Sequence, residues 1–177
     1  MEKFKRLKRE LKHNAHIFDL YEEELLMPDG RIAKWDLIDH KGAAAVVPVQ
    51  DDGKILMISQ YRNAVDRITL EIPAGGRNGK DEPGIECAAR ELEEETGFRS
   101  EDLEFLFTLV PTIAYDNERI DIFVARNLKP SSQNLDPDEF INVKAYTVEE
   151  LKELIFTGKI EDSKTISGIL GYASKYL

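Results

Sequence analysis

Three glutamates in one predicted helix have the residue type and the spacing that metal chemistry requires. Glu91, Glu94 and Glu95 lie three and four positions apart or adjacent, and at about 3.6 residues per turn such side chains share one arc of a helix. Like charges on one arc repel each other unless a cation compensates them. Hard divalent cations such as Mg²⁺ or Mn²⁺ take carboxylate oxygens and supply that charge. Charge alone leaves open a second interpretation, a solvated acidic face paired with Arg90.

The helix that carries these glutamates has clear start and stop signals. Pro83 suits the first helical position, and acidic residues precede it at the positive end of the helix. Gly97 can adopt the left-handed conformation that ends a helix. We therefore predict a helix over Pro83–Thr96. Its sheet-facing residues are predicted from helical spacing to be Ile85, Ala88, Ala89, Leu92 and Thr96.

The segment before this helix is rich in glycine. Pro73-Ala74-Gly75-Gly76 ends a predicted strand and brings bare backbone close to the helix. Such backbone can offer a carbonyl to a metal or let a phosphate approach closely. Taken alone, a glycine pair is equally consistent with an ordinary tight turn.

The remaining elements predict a mixed α/β (α+β) domain, with helices packed on a mixed sheet. Pro28-Asp29-Gly30 predicts a turn that joins extended segments 15–27 and 31–40 into an N-terminal β-hairpin. A second strand pair, 43–50 and 54–61, is predicted around Asp51-Asp52-Gly53. Thr147 and Glu150 predict a capping box at the start of a helix. The other predicted elements are strands at 68–72, 103–110, 119–125 and 142–146, and a closing helix from Ser163.

Length and charge exclude several classes of protein. A chain of 177 residues suits one domain. Its net charge of −10 argues against a nucleic-acid surface, which needs clustered Lys and Arg. The basic cluster near the N-terminus is interpreted as a solvated helical extension rather than as an arm that contacts an anion or a membrane. That cluster comprises Lys3, Lys5, Arg6, Lys8, Arg9 and Lys12.

Hydropathy and cysteine usage indicate a location. Apolar stretches of the sequence stay well short of the roughly 20 residues that a membrane span needs, so no membrane contact is expected. The lone cysteine, Cys87, excludes an internal disulfide and fits a reducing compartment. We therefore expect a cytoplasmic protein.

The segment from Gly76 to Phe98 resembles the Nudix box at every defined position. The pattern is Gly76, five residues, Glu82, seven residues, Arg90-Glu91-Leu92, one residue, Glu94-Glu95, one residue and Gly97-Phe98. It covers 23 of the 177 residues. The resemblance implies the family's α/β/α sandwich with a mixed sheet. It also implies an N-terminal extension and hairpin at 1–41, suited to dimerisation, and a Nudix hydrolase domain at 42–177.

The flanks of the box are similar to those of the ADP-ribose pyrophosphatase subgroup. Glu71-Ile72-Pro73-Ala74-Gly75-Gly76 matches the subgroup's entry to the box, and Gln60-Tyr61-Arg62 matches an upstream strand end. One departure is that Pro111–Glu118 lacks the glycine usual in this loop. The resemblance implies hydrolysis of ADP-ribose to AMP and ribose 5-phosphate. Two alternatives stay open, namely hydrolysis of another nucleotide sugar of the GDP-mannose or ADP-glucose type, and a non-catalytic nucleotide-sensing module.

The resemblance also assigns metal ligands. Glu91 and Glu95 are implied as the main ligands of Mg²⁺ (or Mn²⁺), Glu94 as a further ligand, and the carbonyl of Ala74 as the group that completes the site. In addition, Glu82 and Arg90 are implied to orient these ligands.

Substrate contacts are implied outside the box. Arg62 is a candidate phosphate contact because its planar guanidinium binds phosphate through two hydrogen bonds, and Glu71 is a further candidate substrate contact. The subgroup further implies a homodimer in which N-terminal hairpins cross over. Trp35 and Phe18 would then stack the nucleobase, and packing in the core or dimer interface is the alternative for both.

A catalytic base must come from outside the helix if its carboxylates hold metal. Two loops offer candidates. Glu139 precedes a predicted strand in a context that resembles the subgroup's base, and it is preferred over Glu118, which follows Pro111. A metal-bound hydroxide that needs no residue is the third possibility.

Overall fold

The structure is a computed structural model that describes residues 3–177. Its helices are α1 (Gly84–Thr96), α2 (Val148–Phe156) and α3 (Ser163–Tyr176). Its strands, in chain order, are β1 (Lys5–Asn14), β2 (Phe18–Leu26), β3 (Ile32–His40), β4 (Ala43–Pro48), β5 (Ile55–Arg62), β6 (Arg67–Glu71), β7 (Ala74–Gly76), β8 (Phe98–Arg99), β9 (Asp102–Leu109), β10 (Ile120–Arg126), β11 (Lys129–Pro130) and β12 (Asn142–Tyr146).

The chain divides into two compact units. The first, the N-terminal unit, comprises the chain as far as Gly42 together with Val110–Arg119. The second, the sandwich unit, comprises Ala43–Leu109 and Ile120–Leu177.

The N-terminal unit contains a three-stranded antiparallel sheet in the order β1-β2-β3. The predicted hairpin of β2 and β3 is confirmed. Its turn closes with a hydrogen bond of 2.8 Å from the amide of Met27 to the carbonyl of Arg31. Gly30 adopts a φ of 85°, the left-handed conformation that glycine tolerates best.

The basic N-terminal segment is a strand, so its interpretation as a helical extension was wrong. β1 pairs along its length with β2, and its basic side chains reach acidic ones across the sheet. The guanidinium groups of Arg6 and Arg9 lie 2.9 and 2.5 Å from Oε1 of Glu23. Cross-strand charge pairs of this kind stabilise an edge strand. Their acidic partners lie in β2, so the sequence of β1 alone does not indicate them.

The sandwich unit is built around a four-stranded mixed sheet in the order β7-β4-β10-β9. β4 and β10 run parallel, and the other neighbours are antiparallel. Alternation along β4 turns Ala44 and Val46 toward one hydrophobic cluster and Ala45 and Val47 toward another. The first cluster is completed by Cys87, Ala88 and Leu92 of α1, and the second by residues of α2 and α3 that include Leu151 and Ile169. The predicted sandwich of helices on a mixed sheet is confirmed.

The predicted pairing of 43–50 with 54–61 is only partly correct. The turn forms, because the amide of Gly53 donates to the carbonyl of Gln50 at 2.9 Å. Beyond one bridge between Val49 and Ile55, however, the two strands enter different sheets. Both edges of β4 are occupied by β7 and β10, so β5 pairs instead with β6 and β12.

The helix of the box begins one residue later than predicted, and its buried face only partly matches the predicted one. Pro83 is the N-cap, and the helix ends at Gly97, whose φ is 72°. Ile85 is 47% exposed, so its predicted place on the sheet-facing side is wrong. Ala88, Leu92 and Thr96 are buried as predicted. Cys87, Glu91 and Glu95 are buried as well, and Cys87 packs with residues of β4.

The closing helices agree with the sequence. Thr147 and Glu150 form the predicted capping box at α2, and the side chain of Asp162 caps α3. Across residues 3–177, every helix is too short or too polar to cross a bilayer.

Candidate active site

Glu91 is buried against the glycine segment that precedes the helix. A β-carbon added to Gly75 would lie 2.1 Å from Oε1 of Glu91 and 2.4 Å from Oε2. Those distances are far below van der Waals contact, so the carboxylate occupies space that only glycine leaves free. The same addition at Gly76 meets nothing within 4 Å. The glycine pair is therefore more than a tight turn, because it brings bare backbone onto the carboxylate.

Glu95 lies beside Glu91 and is hydrogen-bonded to β7, the strand that precedes the helix. Its Oε2 accepts a hydrogen bond of 2.8 Å from the backbone amide of Ala74, and the residue is 2% exposed. Burial is the main cause that raises the pKa of Glu95 to about 8; the Ala74 hydrogen bond lowers that pKa, and the charges of Glu91 and Glu139 add to the rise. Burial also raises the pKa of Glu91. Two buried carboxylates held together at this cost are well suited to a cation.

Arg90 connects the remaining acidic residues of the box. Its Nη1 donates to Oε1 of Glu91 at 2.6 Å and to Oε2 of Glu94 at 3.0 Å. Its Nε lies 3.4 Å from Glu82, whose other oxygen accepts from the amide of Asn78 at 2.6 Å. Nη2 reaches the carbonyl of Gly76 at 3.0 Å. Arg90 thus joins the start of the box to its helix.

The donor set fits a divalent cation, but it is not preassembled. Within residues 3–177, no three His, Cys, Asp or Glu side chains form a ready-made metal centre. Instead of meeting at a common point, Glu91 and Glu94 are both bonded to one nitrogen of Arg90. A cation between the glutamates would take over the charge compensation that Arg90 now provides.

Arg62 forms a paired salt bridge with the carboxylate of Glu71. Nε and Nη2 of Arg62 lie 2.8 and 2.7 Å from the two oxygens. Burial alone would raise the pKa of Glu71, but Arg62 and Lys164 outweigh burial and hold that pKa at about 2. The charge of Arg62 also lowers the pKa of Glu95. The predicted phosphate contact therefore acts electrostatically on the buried glutamate of the box.

Lys164 is a member of this group that sequence reasoning missed. Its Nζ lies 2.5 Å from Oε2 of Glu71, although the two residues are 93 positions apart. The available signal was a lysine in the first turn of α3, a position at which the positive end of the helix disfavours a cation.

The two candidate bases lie in different units. Glu139 precedes β12 in the sandwich unit, where its Oε2 accepts from the amide of Asp136 at 3.1 Å. Its charge raises the pKa values of Glu91 and Glu95, so it acts on the glutamate pair. Glu118 belongs to the N-terminal unit, where its Oε1 lies 3.6 Å from Nδ1 of His40.

The two candidate stacking residues are far apart within one chain. Phe18 is opposite His40 in the hairpin ladder, whereas Trp35 is opposite Glu23, five pairs away. That separation is roughly 17 Å along the strands, and the odd number of steps turns the two side chains to opposite faces of the sheet. One copy of the chain cannot sandwich a base between them. Trp35 is 49% exposed, with Phe4 against its edge at a centroid distance of 5.7 Å.

Comparison with known proteins gives a consistent result. The sequence model of a protein family, described as NUDIX domain, matches residues 39–167 of this chain. The chain is similar to the ADP-ribose pyrophosphatase of Bacillus subtilis (strain 168), with 34% identity over 98% of this chain and 91% of that one. It is 33% identical to the methanol dehydrogenase activator of Bacillus methanolicus, over 93% of this chain and 90% of that one.

A solved structure shares the fold. The crystal structure of an ADP compounds hydrolase aligns with a TM-score of 0.86 and covers 98% of this chain and 94% of that one. Its sequence identity is 23%.

Proposed function

This chain belongs to the NUDIX family of hydrolases, and from that premise we propose that it cleaves the diphosphate linkage of ADP-ribose to give AMP and ribose 5-phosphate. The observation that carries the proposal is the buried pair of Glu91 and Glu95, held against Gly75 and Ala74. Uncompensated, two carboxylates at this depth are costly. They are favourable where a divalent cation binds together with a diphosphate.

The proposed ligands are Glu91 and Glu95, with Glu94 and the carbonyl of Ala74 completing the set around Mg²⁺ or Mn²⁺. When bound, the cation supplies positive charge to the phosphate oxygens and compensates their repulsion by a chain of net charge −10. Glu82 and Arg90 orient the ligands through the hydrogen bonds that already join them.

Arg62 is the proposed contact to the diphosphate. Its side chain is 42% exposed although two of its nitrogens are bonded to Glu71. A planar cation held in this way offers its remaining N–H groups to phosphate in a defined orientation. Glu71 is the proposed partner that sets this orientation.

Glu139 is the proposed base. It lies outside the helix, so it is free of the ligand role, and its charge acts on both buried glutamates. It would take a proton from the attacking water. Glu118, paired with His40, is the alternative base.

We further propose a homodimer in which each copy contributes one face of the nucleobase site. Trp35 and Phe18 face opposite sides of one hairpin, so a site that places both rings on one base requires two copies. The segment at 1–41 would supply the exchanged surface, and the remainder at 42–177 the hydrolase domain.

Another nucleotide sugar, such as GDP-mannose or ADP-glucose, is the second candidate substrate, because Pro111–Glu118 departs from the ADP-ribose subgroup. A regulatory role toward a dehydrogenase is a further candidate, and the relative named as a methanol dehydrogenase activator motivates it.

The deciding experiment measures hydrolysis of ADP-ribose, ADP-glucose and GDP-mannose with Mg²⁺ and with Mn²⁺. The proposal requires the highest kcat/KM for ADP-ribose. A higher kcat/KM for ADP-glucose or GDP-mannose would identify that compound as the preferred substrate. The absence of turnover on all three compounds would favour a sensing or partner-binding module.

A further inference from the structure

The carboxylate of Glu71 is the centre of a buried ionic group that extends beyond Arg62. Its side chain is 3% exposed and also accepts a hydrogen bond of 2.6 Å from the hydroxyl of Thr69. Lys164 approaches Oε2 from the other side at 2.5 Å and lies 3.0 Å from Oδ2 of Asp162. The group therefore joins β5, β6 and the first turn of α3.

The start of α3 holds Lys164 in place. Oδ2 of Asp162 accepts from the amide of Thr165 at 2.9 Å, which caps the helix. The hydroxyl of Thr165 in turn accepts from the amide of Ile72 at 3.0 Å, so the helix start is fastened to the residue that follows Glu71. Lys164 is 9% exposed. Its ammonium group is thus presented to Glu71 by a fixed backbone.

The charge count shows what Lys164 contributes. Arg62 and Glu71 alone form a neutral pair, and a neutral pair attracts phosphate weakly. With Lys164 included, the three side chains carry a net charge of +1. Asp162, whose Oδ2 lies 3.0 Å from Nζ of Lys164, brings the group back to neutrality. Lys164 therefore contributes by holding Glu71 in place and not by adding net charge.

The same three side chains line one cavity. Arg62, Glu71 and Lys164 are among the residues around a space of about 440 Å³ between β6 and the segment that leads into α3. This volume lies in the range of small-molecule sites, about 300–1,000 Å³. The cavity gives the guanidinium of Arg62 an open side.

We propose that Lys164 is a positioning residue of the active site, which holds Glu71 so that Arg62 keeps its orientation toward a phosphate of the substrate. The inference rests on the proposed function, and it adds a residue of α3 that acts on the substrate only through Arg62.

The test compares KM and kcat for ADP-ribose in native protein, K164M, K164R and K175M. Loss of one charged hydrogen bond predicts a rise in KM of about tenfold in K164M, with kcat within about twofold of native because the reacting groups are untouched. K164R should recover most of the affinity. K175M is the control for loss of a lysine from the same helix, because Lys175 of α3 forms an ion pair with Glu104 of β9 at the surface, and its KM should equal the native value.

A double variant separates positioning from direct contact. If Lys164 acts only through Arg62, then R62M/K164M is no worse than R62M. A KM for K164M equal to that of K175M would overturn the inference. So would losses that multiply in R62M/K164M, because Lys164 would then contact the substrate itself.

Binding without turnover distinguishes failure of the inference from failure of the proposed function. Equilibrium dialysis in Mg²⁺, with an ADP-ribose analogue whose bridging diphosphate oxygen is replaced by a methylene group and which is not hydrolysed, makes the same comparison of native, K164M and K175M proteins. Binding that K164M weakens, in a protein that never hydrolyses ADP-ribose, would reject the proposed function and support the inference. Hydrolysis by the native protein, together with unchanged binding in K164M, would support the proposed function and reject the inference. Failure of the native protein to bind would reject both hypotheses.

Discussion

The backbone amide of Ala74 donates a hydrogen bond of 2.8 Å to the carboxylate of Glu95. This contact ties the last acidic residue of the box to the strand that opens it. The next two residues of that strand are glycines, and Glu91 packs directly against the first of them, Gly75. The carboxylates and the glycine segment therefore form one structural unit.

The glycine that touches Glu91 should be irreplaceable, whereas its neighbour should not. In G75A the new methyl group would overlap the carboxylate of Glu91, so Glu91 must move and kcat/KM should fall by about 100-fold or more. In G76A the methyl group meets open space, so most activity should remain. Steady-state kinetics on both variants measures the difference. Equal losses in the two variants would contradict the contact.

Glu71 should make stability depend on acid pH. The pKa of Glu71 is depressed to about 2 in the folded chain, against an ordinary value of 4.5. Its stabilising effect is therefore complete above about pH 4.5 and is lost as the pH falls toward 2. In E71Q, two cations lose their buried partner, and the free energy of unfolding at pH 7 should drop by about 3 kcal/mol.

Urea unfolding of native protein and E71Q between pH 7 and pH 2.5 measures this effect. The stability difference between the two should narrow as the pH falls below 4.5. A difference that stays constant over the whole range would show that Glu71 is not held ionised by its partners.

The two candidate bases predict opposite results for two variants. Because Glu139 is the proposed general base, E139Q should lower kcat by about 10²–10⁴-fold at saturating metal. E118Q should retain most of the native kcat. Near-normal turnover in E139Q together with collapse in E118Q would transfer the role to Glu118, and retention in both variants would remove the need for any base among these residues.

Assembly and nucleobase contact can be tested together through Trp35, the single tryptophan of the chain. The proposal predicts a dimer in sedimentation velocity at micromolar concentration. It also predicts a change in tryptophan fluorescence when AMP binds, since half of Trp35 is exposed. W35F/F18L, which removes the indole and the second ring, should raise KM and leave kcat nearly unchanged. A monomer whose tryptophan fluorescence does not change when AMP is added would contradict the proposed nucleobase site.

Local signals in the sequence predicted the parts of the fold that local contacts decide. The turn at Gly30 and the capping box of Thr147 and Glu150 depend on residues within three positions of each other. The acidic residues of the box and its glycines were likewise identified from their spacing. These are the features for which backbone conformation or helical period leaves few choices.

Long-range pairing decided the parts that sequence reasoning missed. β1 is a strand because β2 offers it acidic partners. The strands around Gly53 separate because β7 and β10 occupy both edges of β4. Lys164 joins Glu71 from 93 positions away. In each case the deciding partner lies outside any window that helical or strand periodicity can examine.

Hydrolysis of ADP-ribose by native protein and by E95Q tests the central claim most directly. E95Q keeps the size of the side chain and an oxygen for the amide of Ala74, but removes the charge proposed to bind the cation. With Mg²⁺, the native protein should release AMP and ribose 5-phosphate, and excess chelator should stop the reaction reversibly. E95Q should be slower by about 10²–10³ with its fold intact. Native turnover that persists in excess chelator, or an E95Q variant as active as the native protein, would contradict the account.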